Sequence, residues 1–267
     1  MSETRPAQIW KYADAAFNEA ADDVACEEPL EIRVRGRAVS VTMRSPGHDA
    51  ELAAGFLLTE GVVRERADIL DIRPCDRDDP EAENKLNVLL APLVHVDFDR
   101  LTRHVFASSS CGVCGKATID SVRQQLPSIA ATVTIDAATL LSLPALMRSA
   151  QLAFERTGGL HAAALFDAAG KLIILREDVG RHNATDKVIG HALLQNLPLD
   201  EAVLLVSGRS SFEIMQKALA ARIPIVAAVS APSSLAVAFA RDSGQTLVGF
   251  LRDRRMNVYA HPERIKA

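Results

Sequence analysis

Apolar and polar residues alternate along this chain in two rhythms. In the first half the clearest is a period of two. Ile32 and Val34, then, past Gly36, Val39, Val41 and Met43 are each followed by a polar or charged neighbour. That rhythm marks strands with one covered face, so a hairpin turning near Arg35-Gly36-Arg37 is expected. Asp49 is placed to cap a helix whose apolar stripe is Leu52, Ala53, Phe56 and Leu57, with Gly61 as its C′ stop. The first thirty residues show little periodicity and read as a loosely held arm. Asp68 to Glu83 is acidic and contains Pro74 and Pro80, as an exposed loop would be, and Lys85 to Leu90 then resumes as a strand.

The second half follows another rhythm, strand and helix in turn. A helix is expected from Asp136 to Arg156, with a break at Pro144 and an end at Gly158-Gly159. Strands at Ala162–Phe166 and Lys171–Glu177 flank a tight Asp167–Gly170 turn. After them come helix 184–196, strand 202–206, helix 212–222, strand 225–229, helix 235–241 and strand 246–250. This spacing predicts an α/β domain with a mixed, largely parallel sheet covered by helices. Ser210 followed by Glu213 matches a capping box. The expected division is an arm (1–27), a smaller α+β domain that includes a paired-cysteine loop (28–130) and an α/β domain (131–267). A boundary nearer 105–110 also fits the pattern.

Composition narrows the function classes. The 267 residues are 48% hydrophobic and 24% charged, with a net charge of −4, which suits a folded chain with no basic field for nucleic acid. The longest apolar run, Ile223 to Val229, is far short of the ~20 residues that span a bilayer. No apolar leader follows Met1, so a cytoplasmic protein is expected. From Arg241 to the end six basic residues face three acidic ones, either a solvated tail or an anion site around Arg252–Arg255.

Candidate chemistry concentrates in Ser108-Ser109-Ser110-Cys111-Gly112-Val113-Cys114-Gly115-Lys116. Thiolate is the nucleophilic form, and Lys116 and a following helix N-terminus would favour it. A structural zinc site needs a second cysteine pair, which Cys26 and Cys75 do not form. A thioredoxin-like motif would follow an apolar strand rather than three serines. A zinc deaminase needs His-x-Glu upstream of Pro-Cys-x-x-Cys; here His161-Ala162-Ala163 lies downstream, with alanine in place of the acid. Sulfur relay through a persulfide remains. His161 itself reads as a satisfied core histidine.

Longer runs carry a resemblance. Cys111 to Lys116, Phe154 to Ala163, Glu177-Asp178-Val179-Gly180-Arg181-His182-Asn183-Ala184 with Asp186-Lys187, Ser207-Gly208-Arg209 with Ser211, and Phe250 to Arg255 together resemble the FdhD family of formate dehydrogenase accessory sulfurtransferases. The resemblance implies a cytidine-deaminase-like C-terminal domain and a homodimer. It implies sulfur taken from a cysteine desulfurase as a persulfide on Cys111, with Cys114 as its partner. The sulfur would pass to the molybdenum (or tungsten) bis(molybdopterin guanine dinucleotide) cofactor of formate dehydrogenase, bound as a substrate with no resident metal. Phe250, Leu251, Arg252, Asp253, Arg254 and Arg255 match the family's cofactor-binding stretch.

Arginine forks suit the cofactor's pyrophosphates. Arg209, Ser210 and Ser211, in a strand-to-helix turn, and Arg181 and His182, before a helix, are expected to add to that site. Arg181, His182, Asn183 and Asp186 could equally form a structural polar network. Two other functions stay open: a non-catalytic chaperone for the cofactor, and a dithiol oxidoreductase.

Overall fold

The computed structural model describes residues 3–75, 82–98, 101, 126–130, 132–252 and 254–267. The chain begins with two antiparallel strands, β1 (Thr4–Ala13) and β2 (Ala16–Ala25). Asp14 and Ala15 join them with φ of 51° and 61°, the signature of a type I′ turn, whose twist suits paired strands. A ribbon therefore stands where a loose arm is expected. Both of its faces are mostly exposed, so no one-sided apolar alternation marks it in the sequence.

Strands β3 (Glu28–Val34) and β4 (Arg37–Arg44) form the expected hairpin. The register passes from Ile32 opposite Ser40 to Arg33 opposite Ala38, so Val39 is the extra residue of a bulge. A bulge reverses the facing of all that follows. Val39 is buried, but Val41 and Met43 are 50% and 38% exposed and Arg44 takes the inner position.

Helix α1 (Asp49–Thr59) is N-capped by His48, and Gly61 ends it at φ 75° as expected. Asp49 does not cap; its carboxylate accepts from Arg44 Nε and Nη2, both at 2.9 Å. β5 (Ile69–Pro74) occupies the start of the expected loop, and residues 76–81 lie outside the described residues. With β6 (Lys85–Leu90) the sheet order is β4-β3-β6-β5. Leu52, Ala53, Ala54 and Leu57 of α1 join Leu30, Ile32, Val34 and Val88 in its core.

A second unit follows. β7 (Ile135–Asp136) leads into α2 (Ala137–Ala150) and α3 (Leu152–Thr157). Pro144 sits inside α2 without ending it. The break falls at Gln151, where Glu177 accepts the N–H groups of Ala153 (2.9 Å) and Phe154 (2.7 Å) that open α3. Next come β8 (His161–Phe166), β9 (Leu172–Asp178), α4 (Arg181–Leu194), β10 (Val203–Val206), α5 (Phe212–Ala220), β11 (Ile225–Ala228), α6 (Ser234–Ser243) and β12 (Thr246–Arg252). A return strand, β13 (Arg255–Ala260), follows β12, and β14 (Ile265–Lys266) pairs with β7.

The large sheet has the order β13-β12-β11-β10-β8-β9. β10, β11 and β12 are parallel neighbours; β8 is antiparallel to both β9 and β10, and β13 to β12. The sheet is mixed, and less parallel than the alternation implied, because β8–β9 and β12–β13 are hairpins. Leu140, Leu143 and Met147 of α2 cover one face. Helices α4, α5 and α6 cover the other with Val188, Ile189, Ile214, Met215 and Ala236.

Helix α4 also forms the wall between the two units, because α1 crosses it at Gly55 and Gly190. A Cβ on Gly190 would stand 1.8 Å from the Glu51 carbonyl oxygen, and one on Gly55 1.9 Å from that of Asp186. Among the described residues no helix is long and apolar enough to cross a membrane.

Candidate functional site: the strand-end crevice

The parallel strands β10, β11 and β12 all deliver their carboxyl ends to one edge of the sheet, and antiparallel β8 begins there. In such sheets this edge is where ligands bind. The turn after β10, Ser207–Ser211, is tied to its neighbours on both sides. Ser207 Oγ accepts from Ala162 N (2.9 Å), and Ser233 N donates to the Ser210 carbonyl (3.0 Å). In the turn after β11, Ser233 Oγ caps α6 by accepting from Ala236 N at 3.2 Å.

The first turn departs from the expected capping box. The N-cap of α5 is Ser211, with no side-chain cap bond. Ser210 is fully buried and its Oγ has no hydrogen-bond partner. Glu213 turns away to His182, with Oε2 2.9 Å from Nε2, and Ser211 Oγ lies 3.5 Å from the same nitrogen. Burial alone would raise the Glu213 pKa, but the His182 contact and nearby positive charge bring it below its ordinary value.

The polar run that opens α4 splits in two. Asn183, Asp186 and Lys187 point inward. Lys187 Nζ and Asp178 Oδ2 pair at 2.8 Å with both side chains sealed from solvent. Lys187 also donates to the Ser45 carbonyl (2.9 Å), and Asn183 to Asp178 (3.0 Å) and the Met43 carbonyl (2.8 Å). Asp186 Oδ2 holds Lys217 Nζ at 2.7 Å, and its Oδ1 accepts from Thr59 at 2.9 Å. These bonds join the two units, so this half of the run is a structural network.

Arg181 and His182 lie half-buried at the crevice instead. Gly208 passes close to Arg181 and His161: a Cβ there would meet His161 Nδ1 at 3.4 Å and Arg181 Cδ at 3.7 Å. Arg181 Nε is buried without a hydrogen-bond partner. His161 is therefore not a core histidine; it is a half-buried wall of the crevice. Burial first, then the charges of Arg181, His182 and Arg209, holds its pKa below the ordinary value and keeps the ring neutral.

Of the other expected site residues, Arg209 is exposed on the β10 turn, and Ser211 is half-buried at the start of α5. Phe250 has φ 52°, a strained conformation for an aromatic residue, and its N–H donates to the Ser230 carbonyl at 3.0 Å. Leu251 is fully buried in the core under α2, so its side chain is not available to a ligand. Arg252, Arg254 and Arg255 are exposed at the β12–β13 hairpin, with the Arg252 guanidinium 5.9 Å from the Phe250 ring centre. Cys111, Cys114 and Asp253 lie outside the described residues. Sequence reasoning missed Glu213 as the partner of His182 and His161 as a crevice residue. The signal for His161 was its place at the head of a strand, directly after Gly158-Gly159-Leu160.

Comparison with known proteins bears on this arrangement. The family model described as FdhD/NarQ matches residues 25–266. The "Sulfur carrier protein FdhD" of Mycolicibacterium paratuberculosis is 55% identical over 91% of this chain and 92% of its own length. That of Streptomyces coelicolor is 49% identical over 98% and 95%, and that of Thermoplasma acidophilum 44% over 94% and 90%. A crystal structure described as a candidate formate dehydrogenase accessory protein from Desulfotalea psychrophila covers 99% of this chain and is itself covered in full. It superposes with a TM-score of 0.80 at 26% identity. The chain belongs to the FdhD/NarQ family.

Proposed function

We propose that this protein carries sulfur to a formate dehydrogenase, delivering it to a bis(molybdopterin guanine dinucleotide) cofactor bound as substrate. The observation that carries this reading is Arg181, half-buried at the crevice with an Nε that has no hydrogen-bond partner. Such an atom costs about 1–3 kcal/mol when left unpaired. A half-exposed guanidinium with an unmet donor at a strand end, at the start of α4, fits the phosphate oxygens of an anionic ligand. Arg209, Ser211 and His182 border the β10 turn, and the exposed arginines of the β12–β13 hairpin supply further phosphate contacts. Relatives named sulfur carrier proteins and a structural relative described as a formate dehydrogenase accessory protein support the reading.

In this scheme the Cys111 thiolate attacks the terminal sulfur of a cysteine desulfurase persulfide. A new S–S bond forms on Cys111, the donor's S–S bond breaks, and the donor leaves as a thiolate with no net redox change. The Cys114 thiolate then attacks the inner sulfur of Cys111. A Cys111–Cys114 disulfide forms and the carried atom leaves as hydrosulfide for the metal. The two thiols supply the two electrons, and a thiol reductant resets the pair. The domain is deaminase-like in architecture on this reading, yet Ala163 leaves it without the acid that deaminases use. The working form is a cytoplasmic homodimer.

Intact mass spectrometry after incubation with a cysteine desulfurase and cysteine tests the proposal. The peptide spanning Cys111 and Cys114 should gain about 32 Da, one sulfur. Cys111→Ala should remain folded, take up none and fail to activate formate dehydrogenase. A wild-type chain that gains no mass yet still activates the enzyme would leave cofactor chaperoning as the function.

A further inference from the structure

The β1–β2 ribbon takes no part in the chemistry proposed above, yet it displays the largest exposed aromatic side chains among the described residues. Trp10, Tyr12 and Phe17 are 65%, 65% and 68% exposed. Trp10 is the chain's single tryptophan. Strand alternation puts Trp10 and Tyr12 on one face, and the register sets Tyr12 opposite Phe17, with ring centres 5.0 Å apart. The aromatic cluster thus occupies one face of the free end.

The other end is anchored. Arg156 Nη2 binds Asp23 at 2.7 Å, and a Cβ on Gly159 would lie 3.5 Å from that of Ala25. Gly159 is two residues from His161, so the ribbon is rooted at the rim of the crevice. The matched family segment begins at residue 25, beyond the aromatic end.

Exposed aromatics on a rigid hairpin are the usual anchors of protein interfaces, because they bury much area for little lost side-chain freedom. Charge narrows the occupant. Residues 4–25 carry Arg5 and Lys11 against Asp14, Glu19, Asp22 and Asp23, and Glu19 stands directly across from Trp10. An anionic membrane would repel this ribbon. A protein with an apolar pocket edged by lysine or arginine would attract it.

We propose that the ribbon is a docking arm for the client apoenzyme: Trp10, Tyr12 and Phe17 enter such a pocket on apo-formate dehydrogenase while the crevice faces the client's cofactor cavity. This rests on the function proposed above, but it needs no sulfur to be observed. Fluorotryptophan incorporated at the single Trp10 gives one fluorine resonance on the arm. Adding unlabelled apo-formate dehydrogenase should shift or broaden it. Tyr12→Ala/Phe17→Ala should weaken that binding at least tenfold, and Glu19→Lys/Asp22→Lys should weaken it most at low salt. Both variants should load sulfur at Cys111 from a small persulfide donor at the wild-type rate, which separates loss of docking from loss of sulfur chemistry. The proposal is overturned if the apoenzyme leaves the resonance unmoved. It is equally overturned if the Tyr12/Phe17 variant binds with wild-type affinity, or if only self-association on concentration or phosphatidylserine vesicles move the signal.

Discussion

Around the end of β9 and the start of α4, two polar clusters obey opposite rules. Toward the interior, Asp178, Asn183, Asp186 and Lys187 are buried and multiply bonded to groups on the other unit. Toward the crevice, Arg181 keeps a buried nitrogen with no partner, and Ser210 on the β10 turn keeps a buried hydroxyl in the same state. A satisfied buried network fixes one arrangement of the chain. An unsatisfied one carries an unmet cost, which the proposed anionic ligand would relieve. Arg181 stands two residues before Asn183 on the same helix; only the face differs.

Removing one inner partner should have the largest effect. Lys187→Met leaves the Asp178 carboxylate buried without its counter-ion, and should cost about 3–5 kcal/mol in urea unfolding. A loss below about 1 kcal/mol would mean that water reaches Asp178 and that the inner cluster is not sealed. Gly190→Ala should follow, at about 3 kcal/mol. Its new methyl would stand 1.8 Å from the Glu51 carbonyl, so α1 and α4 must separate, and the denaturation midpoint should fall with it.

Much of this fold was legible in the sequence and some of it was not, for physical reasons. Helices α5 and α6 were clear because each has one buried face, and β10 and β11 because they are continuous apolar runs buried on both faces. The β1–β2 ribbon was hidden because both of its faces meet solvent. Val41 and Met43 were placed on the wrong side because one bulge residue, Val39, reverses parity, and a bulge leaves no compositional trace. Strand β13 was missed because its burial does not alternate: Asn257 and Val258 are both exposed between half-buried Met256 and Tyr259. At the candidate site, the sequence singled out Arg181, His182 and the β10 turn, and the fold brings them to one edge of the sheet. It could not reveal that Glu213 answers His182, since a Ser-x-x-Glu spacing reads equally well as a cap.

A milder probe of the interior contrast is Glu51, which joins α1 to Arg176 Nε (2.6 Å) on β9 and His191 Nδ1 (2.9 Å) on α4. Burial pushes its pKa up, but the Arg176 and His191 hydrogen bonds and the charge of Arg176 outweigh this and leave it below the ordinary 4.5. A depressed carboxylate contributes stability above its unfolded pKa and loses it as pH falls through the folded value. Glu51→Gln should therefore cost about 1.5 kcal/mol at neutral pH. It should also flatten the stability curve below pH 4.5, as acid titration followed by circular dichroism would record. An unchanged acid slope would assign that loss of stability to other carboxylates.

Arg181→Ala should have the smallest effect on stability, and it tests the contrast most directly. Arg181 supplies no bond on which the fold depends at Nε, so unfolding free energy should not fall, and should rise to the extent that the unpaired nitrogen is destabilising. The effect should appear in its neighbour. Burial is the main reason the His161 pKa is low, and Arg181 is the next. Removing that charge favours the imidazolium, so the pKa should rise toward 6.5 and stop short of it, because the burial stays. Proton NMR of the His161 ring across pH 4–8 reads this shift without any ligand or client. If stability instead falls as far as in Lys187→Met, Arg181 belongs to the structural face of α4 and the division drawn along that helix is wrong.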